Sequence, residues 1–285
     1  MLSHLLSGVQ RAQQTIAQAQ EEIASGLRVQ TPADDPVLFR DLVRFDRLIG
    51  AQKDAQRAIE AARARLAASE SALADLQRIL TRARAIAVQQ ANATISAAER
   101  QAAANELQRL IDRALADGNA RWQGEYLFAG TAVDRPAFAR TASGIVYQGT
   151  SSDRLIALVP DRLVVAGVRG DAAPFADTFQ ALEALHSALT ANDTAGIQQA
   201  IGLLRNAHEG ITALASELGA RMQALDGAAA AARDWRAWLE QQRNAQLSAD
   251  IPAASARMQQ AIVALQASYL QIARMQELTL TRFLR

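Results

Sequence analysis

Cysteine is absent from the 285 residues, so a disulfide, a thiolate metal site and a thiol nucleophile are all excluded. Cysteine usage therefore does not choose between a reducing and an oxidising compartment. Aromatic residues make up only 5% of the chain and proline contributes 6 residues. Charge of one sign is lacking too. The 30 basic and 29 acidic side chains leave a net charge of +1, which gives no long-range field to gather nucleic acid or an anionic membrane surface. No run of about 18 apolar residues occurs, so no transmembrane helix is expected. The opening "MLSHLLSGVQRAQQ" has no basic first region and no clean apolar block, so no cleaved secretory signal is expected.

What remains is dominated by alanine, leucine, glutamine and arginine, with half the chain apolar. That is the composition of long helices packed closely through small side chains, and the length suffices for one sizeable core or two small ones. Heptad-like spacing runs through most of it. Leu5, Val9, Ala12, Ile16, Ala19 and Ile23 form one seam. Ile59, Ala62, Leu66, Ser69, Leu73, Leu76, Leu80, Ala83 and Ala87 form a second, in a rod from about Asp35 to Thr94 that could reach nearly 90 Å at about 1.5 Å per residue. Ser96 to Glu99 reads as a capping box for a third helix, with Leu107, Leu110, Ile111, Ala114 and Leu115 on one face. After the middle of the chain, Asp177 and Thr178 are expected to cap one helix and Asp193 or Thr194 the next. A further seam passes through Leu204, Ala207, Ile211, Leu214, Leu218, Leu225, Ala228, Ala232, Trp235 and Leu239, with Arg221 as a charged interruption. A break is expected near Pro252, and the last seam is Met258, Ile262, Leu265, Tyr269 and Ile272.

Between Gly124 and Phe175 the texture changes. "EYLFAG", "GIVYQG", "RLIALV" and "RLVVAG" are short β-branched or aromatic runs punctuated by turn residues. The expected fold is mainly α: a long antiparallel, coiled-coil-like helical bundle formed by the N- and C-terminal segments, with a small β-rich domain inserted in the middle. The expected divisions are an N-terminal assembly helix (1–30), the N-terminal half of a helical core (31–123), a β-rich outer domain (124–175), the C-terminal half of the core (176–250) and a C-terminal assembly helix (251–285). Each terminal stripe is too exposed to stand alone, because an isolated amphipathic helix is marginal in water. The two ends need each other or another copy of the protein.

Chemistry is sparse. His4, His186 and His208 lie far apart, none with a second ligand at metal spacing, and no phosphate loop or nucleophile motif appears. No catalytic, cofactor or metal site is expected. Asp34-Asp35 reads as helix capping rather than as an acid pair for catalysis. Arg169-Gly170-Asp171 reads as a turn, and Trp235 with Trp238 as a core or subunit contact. The densest punctuation is "SGLRVQTPADDPV". There Ser25 and Gly26 end a helix, Pro32 is expected to hold the connector extended, Asp35 to cap the next helix and Pro36 to fill its first turn. Arg28 is expected to pair with Asp34, with Asp35 or with a neighbouring subunit.

These residues resemble a known family. "IASGLRVQTPADDPV" is similar to the helix break of bacterial flagellins and their relatives, and prolines on both sides of the acidic pair resemble the hook–filament junction family, also called hook-associated protein 3. "GEYLFAGTAVDRPAF", "YQGTSSDRLIALVPDRLVVAGVRGDAAPF" and the closing "LQASYLQIARMQELTLTRFL" are similar to that family in order along the chain. The resemblance implies a structural protein of the bacterial flagellum, exported without a cleaved signal. It implies a ring of about eleven subunits between a hook-side junction protein and flagellin, and an export chaperone that holds the C-terminal helix. Nucleic acid and membrane insertion are not implied. A minor filament flagellin is the alternative within the family, and a cytoplasmic coiled-coil scaffold the alternative outside it.

Overall fold

The computed structural model describes residues 2–159, 162–165 and 167–283. Along the chain come α1 (Leu2–Ser25), α2 (Pro36–Gln90), α3 (Ala97–Gly118), six short strands, α4 (Ala173–Thr190), α5 (Thr194–Leu247) and α6 (Ile251–Phe283). The strands are β1 (Arg121–Trp122), β2 (Glu125–Tyr126), β3 (Phe138–Thr141), β4 (Gly144–Tyr147), β5 (Leu155–Val159) and β6 (Arg162–Val165). The protein is thus mainly α, with long helices flanking a small β-rich middle. It divides into two compact units, one made of Met1–Ala51 with Asp234–Arg285, the other of Gln52–Arg233.

The Gln52–Arg233 unit holds the larger core. All nine residues of the α2 seam from Ile59 to Ala87 are buried, as are Leu107, Ile111 and Ala114 of α3 and Leu204, Ala207, Ile211, Leu218 and Leu225 of α5. Alanine and serine at every second or third seam position let the helices approach closely, and leucine fills the spaces between. Within this unit α2 and α5 run antiparallel, with Arg63 Nε 3.1 Å from Asp226 Oδ1 and Gln77 Nε2 donating to Thr212 Oγ1 at 3.2 Å. The capping box at the start of α3 is formed: the Glu99 amide donates to Ser96 Oγ and the Ser96 amide to Glu99 Oε2. Those contacts with Ser96 hold the Glu99 carboxyl below its ordinary range.

The strands pair as three antiparallel hairpins, β1 with β2, β3 with β4 and β5 with β6. The four strand-like runs in the sequence correspond to β2, β4, β5 and β6. β1 and β3 lie outside those runs, because Arg121 and Arg140 interrupt their apolar residues, and the first hairpin starts at Arg121, before Gly124. Its turn at Gln123 and Gly124 has φ of 51° and 86°, the left-handed pair that a two-residue hairpin needs. Phe128, Phe138, Phe175 and Phe179 then gather against α3 and α4, with Phe138 lying 5.4 Å from Phe175 and 5.0 Å from Phe179 between ring centroids. Most of the few aromatic rings are therefore spent on joining short hairpins to helices. Gly170 allows the closure: its amide donates to the Phe128 carbonyl at 2.8 Å, and a side chain there would strike the Phe138 ring.

Two buried arginines complete the joinery. Arg65, 2% exposed, donates from α2 to the Tyr126 carbonyl at 2.8 Å and to Glu125 at 3.0 Å, and Glu125 also takes Arg154 at 2.7 Å. Burial, with Arg154 nearby, pulls the Arg65 ionisation down, and Glu125 opposes that. Arg100 donates to the carbonyls of Gln90 and Asn92 and to Asn192 Oδ1, tying the α2–α3 turn to the α4–α5 turn.

Several local expectations need correction. Thr178 and Asp177 do not cap α4, which begins at Ala173 with Pro174 in its first turn. Thr178 lies inside the helix and donates to the Pro174 carbonyl at 2.7 Å. Proline, pre-set for helical φ and lacking an amide, starts the helix in place of a side-chain cap. Asp193 does cap α5, accepting from the Ala195 amide at 3.0 Å. Trp235 leaves the α5 seam and is 46% exposed. The inner face steps instead from Ala232 through Arg236 to Leu239, because a three-then-four step and a four-then-three step both fit the helical period.

Truncating Phe175→Ala should destabilise the protein by about 3–5 kcal/mol in urea unfolding, whereas Val146→Ala on β4 should change stability by less than about 0.5 kcal/mol. A pH dependence comes from Asp117 at the end of α3. Burial, reinforced by Asp75, raises its carboxyl from 3.8 to about 6 against the opposing pull of Arg113 and Arg78. The folded state thus holds a proton that the unfolded chain has lost, so stability should fall as pH rises from about 4 to about 6. Asp117→Asn should flatten that slope in a pH series of thermal melts.

Candidate assembly surfaces

The unit formed by both chain ends is where the expected interface residues lie. In α1, Val9, Ala12 and Ala19 are buried, and Leu5, Ile16 and Ile23 are half-buried. In α6, Ala254 and Ala261 are buried and Met258, Leu265 and Ile272 half-buried, whereas Ile262 and Tyr269 are 36% and 50% exposed. The two helices pack against each other, antiparallel. Arg257 forks onto Glu22, with Nη2 2.5 Å from Oε2, and Gln13 Nε2 lies 3.4 Å from the Tyr269 hydroxyl. The seam spacing identifies which residues share a stripe. It does not foretell that part of the α6 stripe stays open.

The joint after α1 is built residue by residue. Gly26 takes φ +70° and its amide donates to the Glu22 carbonyl at 2.9 Å, ending the helix in the left-handed conformation that glycine adopts without strain. Ser25 Oγ accepts from the Leu27 amide and from Gln30 Nε2. Val29 is 4% exposed and plugs the joint into the unit. Asp34 Oδ2 accepts from the amides of Thr31 and Gln30 at 2.8 and 3.0 Å, and those two bonds, Thr31 first, hold its carboxyl below the ordinary range. Asp35 Oδ1 accepts from the Val37 and Leu38 amides at 3.1 and 3.0 Å, with Pro36 as first residue of α2. Of the adjacent aspartates, one organises the loop and the other caps the helix.

Pro32 does not hold an extended connector. It sits in a turn in which the Asp34 amide donates to the Thr31 carbonyl at 3.1 Å, and proline's fixed φ suits the second position of such a turn. Arg28 approaches Asp35, at 4.0 Å, with both side chains open to solvent. That contact adds little stability.

A main-chain contact absent from any local sequence signal closes the unit. The Arg28 amide donates to the Leu247 carbonyl at 2.8 Å and the Ala249 amide to the Gly26 carbonyl at 2.9 Å, so that Leu27 and Ser248 form an antiparallel bridge. The joint after α1 is thereby bonded to the joint before α6. Arg243 Nε lies 2.7 Å from Asp46 Oδ1, linking α5 to the first part of α2.

Apolar surface is unevenly distributed. Of the fifteen large hydrophobic residues exposed among those described, eleven belong to this unit: Leu6, Val37, Val43, Leu48, Trp235, Trp238, Ile251, Ile262, Val263, Tyr269 and Leu270. Among the described residues no group of three or more His, Cys, Asp or Glu side chains is placed to hold a metal, and no described helix is long and apolar enough to cross a membrane. Asp35→Ala should cost about 1 kcal/mol and speed hydrogen exchange at the amides of Val37 and Leu38, and Asp35→Asn should keep most of the protection.

Comparison with known proteins gives the fold its relatives. Residues 1–133 match the family model "Bacterial flagellin N-terminal helical region". No curated protein matches the sequence. A solved structure described as a putative flagellar hook-associated protein from Vibrio parahaemolyticus is similar at 19% identity, with a TM-score of 0.69 over 75% of this chain and 99% of that one. The Bacillus cereus FlgL structure is similar at 20% identity, TM-score 0.61, over 69% of this chain and 97% of that one. The flagellar junction protein FlgL from Legionella pneumophila is similar at 16% identity, TM-score 0.56, over 72% of this chain and 99% of that one. Residues 1–133 thus match the flagellin N-terminal helical region, and the chain as a whole has the fold seen in the flagellar hook-associated structures.

Proposed function

We propose that this protein is a structural, non-enzymatic subunit of the bacterial flagellum that joins hook to filament. The observation that carries the reading is the joining of both chain ends into one unit that keeps most of the exposed large hydrophobics. Exposed apolar side chains concentrated in one unit are what a protein–protein contact surface presents before its partners cover it. The fold likeness to hook-associated and junction proteins, which spans nearly the whole of those chains, supports the same reading.

In this reading the subunit leaves the cell through the flagellar export route, with an export chaperone holding α6, and is extracellular once assembled. About eleven copies then form a ring between the hook-side junction protein and flagellin. Leu5, Val9, Ile16 and Ile23 of α1, with Met258, Ile262, Leu265, Tyr269 and Ile272 of α6, serve the interface between copies. The joint from Ser25 to Pro36 sets the angle at which α1 leaves α2. The β-rich outer domain at 124–175 faces away from the ring's lumen. Absence of cysteine suits passage into an oxidising exterior, where an exposed thiol would cross-link.

The test is deletion of the gene in its own host. Loss of the subunit should leave hooks intact while flagellin is released into the medium and motility is lost, with both restored by the wild-type gene. Filaments that merely shorten would instead identify a minor filament flagellin. Protein confined to the cytosol, with no material in sheared hook and filament fractions, would point to a scaffold.

A further inference from the structure

Trp235 and Trp238 stand one turn apart on α5 and stack, ring centroids 4.6 Å apart and planes within 12°. Each is 46% exposed. A tryptophan pair is costly to leave half in water, and nothing in the described chain covers its outer face. At roughly 150–250 Å² per tryptophan side chain, the open half of the pair amounts to about 200 Å². That is well under the ~800 Å² per partner of a stable free-standing interface. The pair alone does not make a dimer. It is the size of one anchor within a larger, repeated contact.

A surface able to meet it lies on the first part of α2. Val37, Arg44 and Leu48 follow one another at seven and four residues, so they share one stripe of the helix. Val37 is 61% and Leu48 38% exposed, and Arg44 is exposed between them. No described ion pair involves Arg44. An arginine flanked by aliphatic side chains is the complement of an indole platform, because the guanidinium stacks on the electron-rich ring face while the aliphatics cover its edge. Asp234, exposed and next to Trp235 in the chain, adds a carboxylate to the neighbourhood of the pair.

We infer that the Trp235–Trp238 pair of one copy receives the Val37–Arg44–Leu48 stripe of a second copy. This rests on the assembly reading above and names the side chains that join one subunit to the next. The contact is head-to-tail, with different patches meeting, which is the geometry that builds rings and tubes rather than closed pairs.

Photocrosslinking in living cells decides the point. Trp238→p-benzoylphenylalanine should give a self-adduct at about twice the 30.6 kDa chain mass, and peptide mapping should find it on residues 36–51. Val146→p-benzoylphenylalanine, on the β3–β4 hairpin, should give about tenfold less. Adducts with a different protein only, a self-adduct mapping elsewhere, equal yield from position 146, or no adduct from an expressed variant would each overturn the inference. Separately, Trp235→Ala with Trp238→Ala should retain helix content by circular dichroism, since alanine is a better helix former, yet lower incorporation into sheared appendages about tenfold. Unchanged incorporation would overturn the inference. If the wild-type chain never reaches the appendages, the junction reading fails, while the whole-cell adduct still decides whether this pair binds a second copy.

Discussion

Two main-chain hydrogen bonds hold the terminal unit in register. Arg28 to Leu247 and Ala249 to Gly26 bond the connector that follows α1 to the connector that precedes α6. A packed helix pair can slide by a turn at modest cost, because one apolar stripe resembles itself after each heptad. A hydrogen-bonded bridge between the two connectors removes that freedom. It fixes where α1 begins its run along α6, and Arg257 on Glu22 confirms the same register from the side chains. Gly26 makes the bridge possible, since its left-handed φ turns the chain out of the helix at the residue whose carbonyl accepts the Ala249 amide.

The two units divide the physical labour. In Gln52–Arg233 the small-residue seams and the phenylalanine cluster form the larger core, and the buried Arg65 and Arg100 reach across it to partners on neighbouring elements. Arg65 illustrates the principle: a guanidinium 2% exposed is tolerable because two carbonyls and a carboxylate receive it. The terminal unit is built on different terms. Its α1 seam buries one valine and two alanines fully and leaves the larger Leu5, Ile16 and Ile23 only half-covered. Burial on that scale returns little against the entropy of ordering two helices. Covering the rest by other chains is what would make the terminal unit fully stable.

Much of this was legible in the sequence, for reasons that differ by element. The α2 seam from Ile59 to Ala87 was readable because nine positions in strict alternation leave no second helical face to choose. The Ser96–Glu99 box and the Gly26 stop were readable because each uses a local rule within four residues. Pro32 is ambiguous in the sequence because proline serves extended and turn backbone alike, and only the Asp34 amide on Thr31 distinguishes them. Spacing does not separate Trp235 from Arg236 as the inner residue, because one helical period admits two neighbouring seams. The bridge from Leu27 to Ser248 joins residues 221 positions apart, beyond any local pattern.

The placement of arginine on the inner face of α5 clarifies why tryptophan is on the outer one. Arg236 and Arg243 are half-buried, with Glu240 and Asp46 within 3.5 and 2.7 Å respectively. Arg236 meets a carboxylate on its own helix and Arg243 one on α2, so each charge on this face has an opposite charge beside it. A tryptophan turned inward at this level would have to displace them and bury its ring nitrogen without a partner. Turned outward, the two rings cover each other on one side and keep the other side available. Two of the three tryptophans thus stay half-covered in the folded subunit, an arrangement that leaves their outer faces open to a further surface.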